Sequence, residues 1–357
     1  MRLKNALFYA FLYISALIGA GFATGKELYY YFFRYGASNG IFGVFISALL
    51  FAAAAYKTLR INAAYDISGY SGLLELLFGK LWGKIFYMTS VSFFLVLFAA
   101  MAASFGEIAR MTGISAHIGS FCFCVFCCIA ASYRKNGCER INFLLCPIIL
   151  LCCPLLGLTE TRGIKPTLSS LTVVPSAIIY TAYNLLTSTA VLCGCEKTGK
   201  KTAAIAALIV FLSLFISGSF AGQLADSSAE LPIYENIKYS SLKCGIYMLV
   251  MLCAVLTTAL GNLSCIPRKI PLPAAAAAGF VISLCGFGQI VEKLYLIFGI
   301  MGCGVLAALI FCPIRHHNAR SIFTVLIKPS YLKILLKAPC RLIKALIHSS
   351  SDGFSDE

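Results

Sequence analysis

Long apolar runs almost free of charge alternate along the chain with short gaps where Lys, Arg, Glu, Asn and Pro gather. A bilayer core of about 30 Å takes roughly 20 apolar residues per helix. On that measure the pattern predicts ten spans, at residues 6–35 (interrupted), 39–56, 85–109, 115–133, 141–158, 172–192, 203–221, 241–261, 272–290 and 293–313. The longest polar gaps, 57–84 and 223–240, do not divide these spans into separate domains. The expected fold class is therefore an all-α polytopic membrane protein with one membrane domain over residues 1–318. Residues 319–357 form a basic tail in which Leu332, Ile334, Leu335, Leu342 and Ile343 interleave with Lys333, Lys337, Arg341 and Lys344. That pattern fits an amphipathic helix on anionic lipid, and equally a plain positive-inside anchor.

Composition agrees: 60% of residues are hydrophobic and 12% charged, against roughly 45–50% and about 25% in soluble domains. A soluble enzyme and a disordered chain are excluded. The formal charge of +15 would point to nucleic acid in a soluble protein, but here the placement of charge decides. Of the 29 Lys and Arg residues, 21 fall on the side that holds both ends and 8 on the other. Both termini are thus expected in the cytoplasm, with the lipid bilayer, and no nucleic acid, as partner. A signal peptide cut near Ala20 is the competing reading of the first residues. It would move the basic tail outside, against the charge bias. Most of the 17 cysteines lie inside spans, and the four histidines (His117, His316, His317, His348) stand apart from the Cys122–Cys128 cluster. Cysteine as a small hydrophobe is expected there, with no metal site.

Spans one to five (6–158) and six to ten (172–313) form two blocks, and five being odd, the second enters the membrane from the opposite side. That is an inverted repeat, and the pointer to a binding site in such repeats is an interrupted helix in each half. The first span carries Ile18, Gly19, Ala20, Gly21, Phe22, Ala23, Thr24, Gly25, Lys26 and Glu27, three glycines within seven residues, each costing about 1 kcal/mol of helix. Unwinding there frees backbone groups at membrane depth, which is tolerated only against a cavity or ligand. The outer half-helix, starting near Phe22 to Thr24, would offer amides to a carboxylate; the carbonyls near Ile18 to Ala20 would suit a cation. The alternative is an unbroken helix with Gly21 and Gly25 as a packing face. The sixth span carries Tyr180, Thr181, Tyr183 and Asn184 in an otherwise apolar run, either a solute contact or interhelical hydrogen bonding. Glu27 and Glu107 are the carboxylates within spans; Glu107 is expected to pair with Arg110, and Glu27 either favours its helix start or couples ions. Tyr29, Tyr30 and Tyr31 look like an interfacial belt.

The run Gly19 to Glu27, the nearby Phe33-Arg34-Tyr35-Gly36 and Tyr183-Asn184 resemble the YkvI-type family of bacterial membrane proteins. That family is similar to amino-acid transporters of the LeuT fold in the amino acid–polyamine–organocation superfamily. The resemblance implies a multi-pass protein of the bacterial cytoplasmic membrane. It also implies that solute is held at breaks in helices one and six, by Gly19, Ala20, Gly21, Phe22, Ala23, Thr24, Gly25, Tyr180, Tyr183 and Asn184. A sodium ion in that fold bridges helix-one carbonyls, here around Leu17, Ile18 and Ala20, to hydroxyls on helix eight, here Thr257 and Thr258. The fifth span has no lysine in the place that replaces the ion in some members, which favours ion coupling. The break has no Asp, a departure that speaks against a carboxylate binding an amine directly.

These features lead to a secondary transporter of a small solute, an amino acid or related zwitterion, coupled to Na+ or H+ and without other cofactor. A solute receptor using the same fold is the alternative. No P-loop sequence supports ATP-driven transport. A membrane-embedded enzyme lacks gathered carboxylates and histidines, so no catalytic residue is expected. Gly21→Leu is expected to block the site and a similar change at Gly279 to spare it.

Overall fold

The computed structural model describes residues 2–65, 67, 69–133, 137–157, 172–193, 195, 197–225, 231–267, 269–291 and 295–314. The helices are α1 (Arg2–Leu17), α2 (Ala20–Thr24), α3 (Lys26–Tyr31), α4 (Ala37–Tyr65), α5 (Gly69–Met111), α6 (Ala116–Tyr133), α7 (Gly137–Gly157), α8 (Val173–Leu192), α9 (Lys200–Gln223), α10 (Pro232–Ile237), α11 (Ser241–Cys265), α12 (Leu272–Ser283), α13 (Phe287–Gln289) and α14 (Tyr295–Phe311). Among the described residues there is no strand, as expected for lipid, where a helix satisfies its backbone internally. α4, α5, α9 and α11 are each long and apolar enough to cross a bilayer, and α6, α7, α12 and α14 contain shorter apolar helical stretches. The chain is a helical multi-pass membrane protein. The basic tail, 319–357, lies outside the described residues.

Two polar gaps are more helical than their sequence predicts. α4 continues to Tyr65, and α5 starts at Gly69 and turns sharply at Gly79 (φ 78°, ψ 173°). The polar residues that end the apolar run in α4 have work at other helices' ends. Asn62 Nδ2 donates to the Leu192 carbonyl at 3.0 Å, Lys57 Nζ to Cys312 at 2.8 Å and Tyr65 Oη to Pro313 at 2.8 Å. The last carbonyls of a helix lack partners of their own, so α4 closes the ends of α8 and α14 together. The gap 223–240 holds α10, and the span predicted at 272–290 is divided at Gly286 (φ 85°) into α12 and α13.

The break predicted in the sixth span is absent: α8 is continuous from Val173 to Leu192. Its polar side chains turn back on their own helix. Thr181 Oγ1 donates to the Ala177 carbonyl at 2.9 Å, Asn184 Nδ2 to Tyr180 at 3.1 Å and Thr189 Oγ1 to Leu185 at 2.6 Å. Side chains satisfied in this way leave the backbone ladder closed.

α8 and α14 approach through small residues, the usual means of close packing in lipid. A Cβ on Gly302 would collide with the backbone carbonyl of Ala182, which cannot swing aside. Gly302→Ala is therefore expected to cost about 1–3 kcal/mol and to lower the melting temperature in detergent. Gly304→Ala, whose Cβ would meet Phe86 at an ordinary 3.6 Å, is the control and should melt as wild type.

Candidate functional site

The first span is broken twice. α1 ends at Leu17, Gly19 is extended (φ −96°, ψ −166°), and the ladder resumes where the Ala23 amide donates to the Gly19 carbonyl at 3.0 Å. Skipping a turn leaves carbonyls at the end of α1 without helical donors. Two of them, Ser15 and Ile18, face Thr258 of α11, whose Oγ1 lies 3.4 and 3.3 Å away. Both distances are long for an O–H···O bond, which prefers about 2.7–2.8 Å. Thr257 turns away: its Oγ1 donates to Cys253 at 2.8 Å and Ala254 at 3.1 Å in its own helix. The Leu17 carbonyl accepts from Gly19 N at 3.1 Å. Of the predicted ion ligands the structure thus brings together Ile18 and Thr258, adds Ser15, and sends Thr257 elsewhere.

The second break is Gly25, in the left-handed region (φ 82°, ψ −4°), where a side chain is strained. A Cβ there would also meet Ile233 at 2.7 Å and Ala225 at 2.9 Å. Thr24 is the joint between α2 and α3. Its Oγ1 donates to the Gly21 carbonyl at 3.1 Å and accepts from Lys26 N at 3.2 Å. The outer half-helix thus starts at Ala20, earlier than the predicted Phe22 to Thr24. The amides of Ala20 and Ala23 are engaged, by Met101 Sδ at 3.4 Å and by Gly19.

The turn at Gly25 folds Glu27 back over the first break. The Glu27 side chain occupies the space a Cβ on Gly21 would need. In one continuous helix these two residues would stand about 9 Å apart along the axis and about 240° round it, so their contact depends on the second break. Glu27, from beyond the second break, thus places its carboxyl beside Gly21.

Glu27 is 4% exposed and surrounded by tyrosines. The hydroxyls of Tyr180 and Tyr183 on α8 face its carboxyl, with Tyr31 on α3 and Tyr295 on α14 close by. The rings interlock: centroids are 5.5 Å apart for Tyr31–Tyr180, 5.6 Å for Tyr31–Tyr183, 5.6 Å for Tyr180–Tyr183 and 4.9 Å for Tyr183–Tyr295. Glu27 Oε2 and the hydroxyls of Tyr31, Tyr183 and Tyr295 are buried without a hydrogen-bond partner. The ion pairs between described residues are Glu107–Arg110 and Glu235–Lys238, and neither reaches Glu27. The first is the pair expected from sequence. Beside Tyr180 lies a small, largely apolar cleft with room for about one water, lined by Phe22, Leu28, Phe32, Phe51 and Tyr180 among others.

Gly19, Ala20, Gly21, Phe22, Gly25, Tyr180 and Tyr183 therefore meet around the breaks. Ala23 and Thr24 serve the local helix, and the Asn184 amide is bound to its own helix. Sequence reasoning missed Tyr31 and Tyr295. Tyr31 is buried at 2% exposure rather than part of an interfacial belt, and Tyr295 sits at the start of the last apolar run. The signal for both was a tyrosine inside an apolar segment, which belts and buried sites share.

No protein-family model matches the chain. It is 24% identical over 327 residues to the uncharacterized membrane protein YkvI of Bacillus subtilis (strain 168), covering 84% of this chain and 94% of that protein. It is also 24% identical over 326 residues to the uncharacterized protein YyaD of the same organism, covering 85% and 95%. Its structure resembles that of Mhp1, a nucleobase-cation-symport-1 family transporter, in a closed conformation with bromovinylhydantoin bound. The TM-score is 0.59 at 12% identity, over 97% of this chain and 93% of Mhp1. The resemblance to YkvI-type proteins thus extends over most of the chain, and the fold is of the LeuT type.

Proposed function

We propose that the protein is a secondary active transporter of a small solute, an amino acid or related zwitterion. The solute is held where the breaks of the first span meet Tyr180 and Tyr183, and it changes sides by alternating access. The observation that carries this is the double break itself: a buried helix opened at Gly19 and Gly25, with its freed carbonyls and Glu27 facing inward at membrane depth. Such backbone is tolerated in lipid only where it lines a site or is buried in protein, and interrupted helices mark the binding sites of transporters. The fold shared with Mhp1 supports the same reading.

Coupling is assigned to Na+ at Ser15, Ile18 and Thr258, with H+ at Glu27 as the alternative. Hard cations of this size take oxygen ligands at about 2.3–2.6 Å, which places neighbouring ligand oxygens about 3.3–3.7 Å apart. The Thr258 hydroxyl stands 3.4 and 3.3 Å from the two carbonyls, a spacing better suited to shared ligation than to a hydrogen bond. Both termini are assigned to the cytoplasm on the Lys and Arg asymmetry.

Solute counterflow tests transport whichever ion is coupled to it. Liposomes holding the purified chain and loaded with an unlabelled amino-acid mixture are expected to accumulate the labelled mixture transiently. Binding of the mixture without counterflow would overturn transport in favour of a solute receptor.

A further inference from the structure

We propose that α5, from Lys80 to Met88, binds an anionic phospholipid, with Lys80 and Lys84 on its phosphate and Leu81, Trp82, Ile85 and Met88 along its acyl chains. The site lies apart from the breaks of the first span and does not depend on what they hold.

Gly79 divides α5. Its positive φ of 78° lets the segment 69–78 turn aside and lie back along the helix that follows. A Cβ on Gly83 would meet the Glu75 backbone at 2.8 Å, and the rings of Phe78 and Phe86 stack with centroids 4.2 Å apart. The side of the helix turned away from Gly83 is left bare. Leu81 is 72% exposed, Trp82 55%, Ile85 46% and Met88 57%, and at spacings of three, four and seven residues they form one stripe. Lys80 and Lys84, one turn apart and both exposed, run along an edge of that stripe.

An apolar stripe on a spanning helix meets acyl chains, and the lysines fix the level at which it does so. They stand at the end of the polar gap 57–84, where the apolar run begins, so their ammonium groups reach headgroup phosphates while their hydrocarbon stems lie along the stripe. Charge then selects the lipid. The two lysines outnumber the exposed Glu75 at the kink, and no ion pair between described residues engages them. The Lys and Arg asymmetry assigns this end of α5 to the cytoplasmic leaflet, whose anionic lipids attract basic residues beside a spanning helix. A zwitterionic headgroup fits less well, since it brings an ammonium group of its own against the lysines. Residues 315–351 of the tail carry Lys and Arg but no Asp or Glu, so the like charge opposes them as a cover for this edge.

Trp82 is the single tryptophan of the chain, so its fluorescence reports on this site alone. The full chain is reconstituted in vesicles of phosphatidylcholine and phosphatidylglycerol in equal amounts, with bromine on the acyl chains of one lipid or of the other. The surface charge is then the same and only the quencher moves. In wild type, brominated phosphatidylglycerol is expected to quench Trp82 more strongly, with its occupancy beside the ring enriched about 10- to 25-fold, from about fivefold for each lysine less the effect of Glu75. Lys80→Gln combined with Lys84→Gln should bring quenching by the two lipids to equality. Lys200→Gln combined with Lys201→Gln, which removes two exposed lysines elsewhere on the side assigned to the cytoplasm, should keep the wild-type preference. Both double variants must first run as the wild type does in size exclusion; if either does not, the comparison of the two lipids in wild type decides. Equal quenching by the two lipids in wild type reduces the stripe to an unselective anchor and overturns the proposal. A preference that survives the loss of Lys80 and Lys84, or that falls as far in the Lys200 and Lys201 control, overturns it as well. Absence of quenching by either lipid does the same, because the stripe is then covered by protein.

Discussion

Gly21→Leu is expected to abolish solute binding and uptake while the protein still inserts and folds. The Glu27 side chain already fills the space of a Cβ at Gly21, so a leucine must expel it from its place among Tyr180 and Tyr183. Both the carboxylate and the face of the first break are then lost, and binding is expected to fall at least about 100-fold, the upper reach of one charged hydrogen bond. The variant is compared with wild type for equilibrium binding of a labelled amino-acid mixture. Gly279 is unsuitable as the control that its sequence position suggests, because a Cβ there would run into the ring of Phe98. Gly245→Leu serves instead, since nothing lies within 4 Å of its Cβ position, and it should bind as wild type.

Thr258→Val is expected to weaken the sodium dependence of uptake, and Thr257→Val to leave it intact. The two residues are adjacent in sequence and identical in type, yet only Thr258 reaches the carbonyls of Ser15 and Ile18. Thr257 bonds within its own helix. Valine keeps the shape of threonine and removes the oxygen, so packing around Gly19, whose Cβ position lies 3.3 Å from Thr258, is preserved. The sodium concentration for half-maximal uptake should rise about tenfold or more in Thr258→Val, for a lost contact of about 1.5–3 kcal/mol. Equal sodium dependence in the two variants would remove Na+ from this site and turn attention to H+ at Glu27.

The helices and the first break were legible because both leave one-dimensional marks. Apolar runs of bilayer length have one backbone solution in lipid, and three glycines in seven residues weaken any helix. What stayed hidden depended on direction. Gly25 as sequence does not reveal its positive φ, and without that turn Glu27 belongs far from Gly21. Polar side chains in the sixth span have two outlets, a site or their own helix. Tyr180 and Tyr183 turn towards Glu27, while the Thr181 hydroxyl and the Asn184 amide turn to their own helix, and hydropathy treats them alike. Tyr31 was concealed by company: in a run of three tyrosines at a span end, the expectation is a belt, and only packing against α8 separates it from Tyr29 and Tyr30. Lys57, Asn62 and Tyr65 look like loop residues until the open carbonyls of α8 and α14 are placed beside them.

Solute movement across the membrane is assigned to the twice-broken first helix. It is tested most directly by gradient-driven uptake of a labelled amino-acid mixture into proteoliposomes, with wild type and Gly21→Leu side by side under inward sodium and, separately, inward proton gradients. Accumulation above the equilibrium level in wild type under one of these gradients, absent in Gly21→Leu, is the expected result. Equal accumulation in the two proteins would contradict the claim.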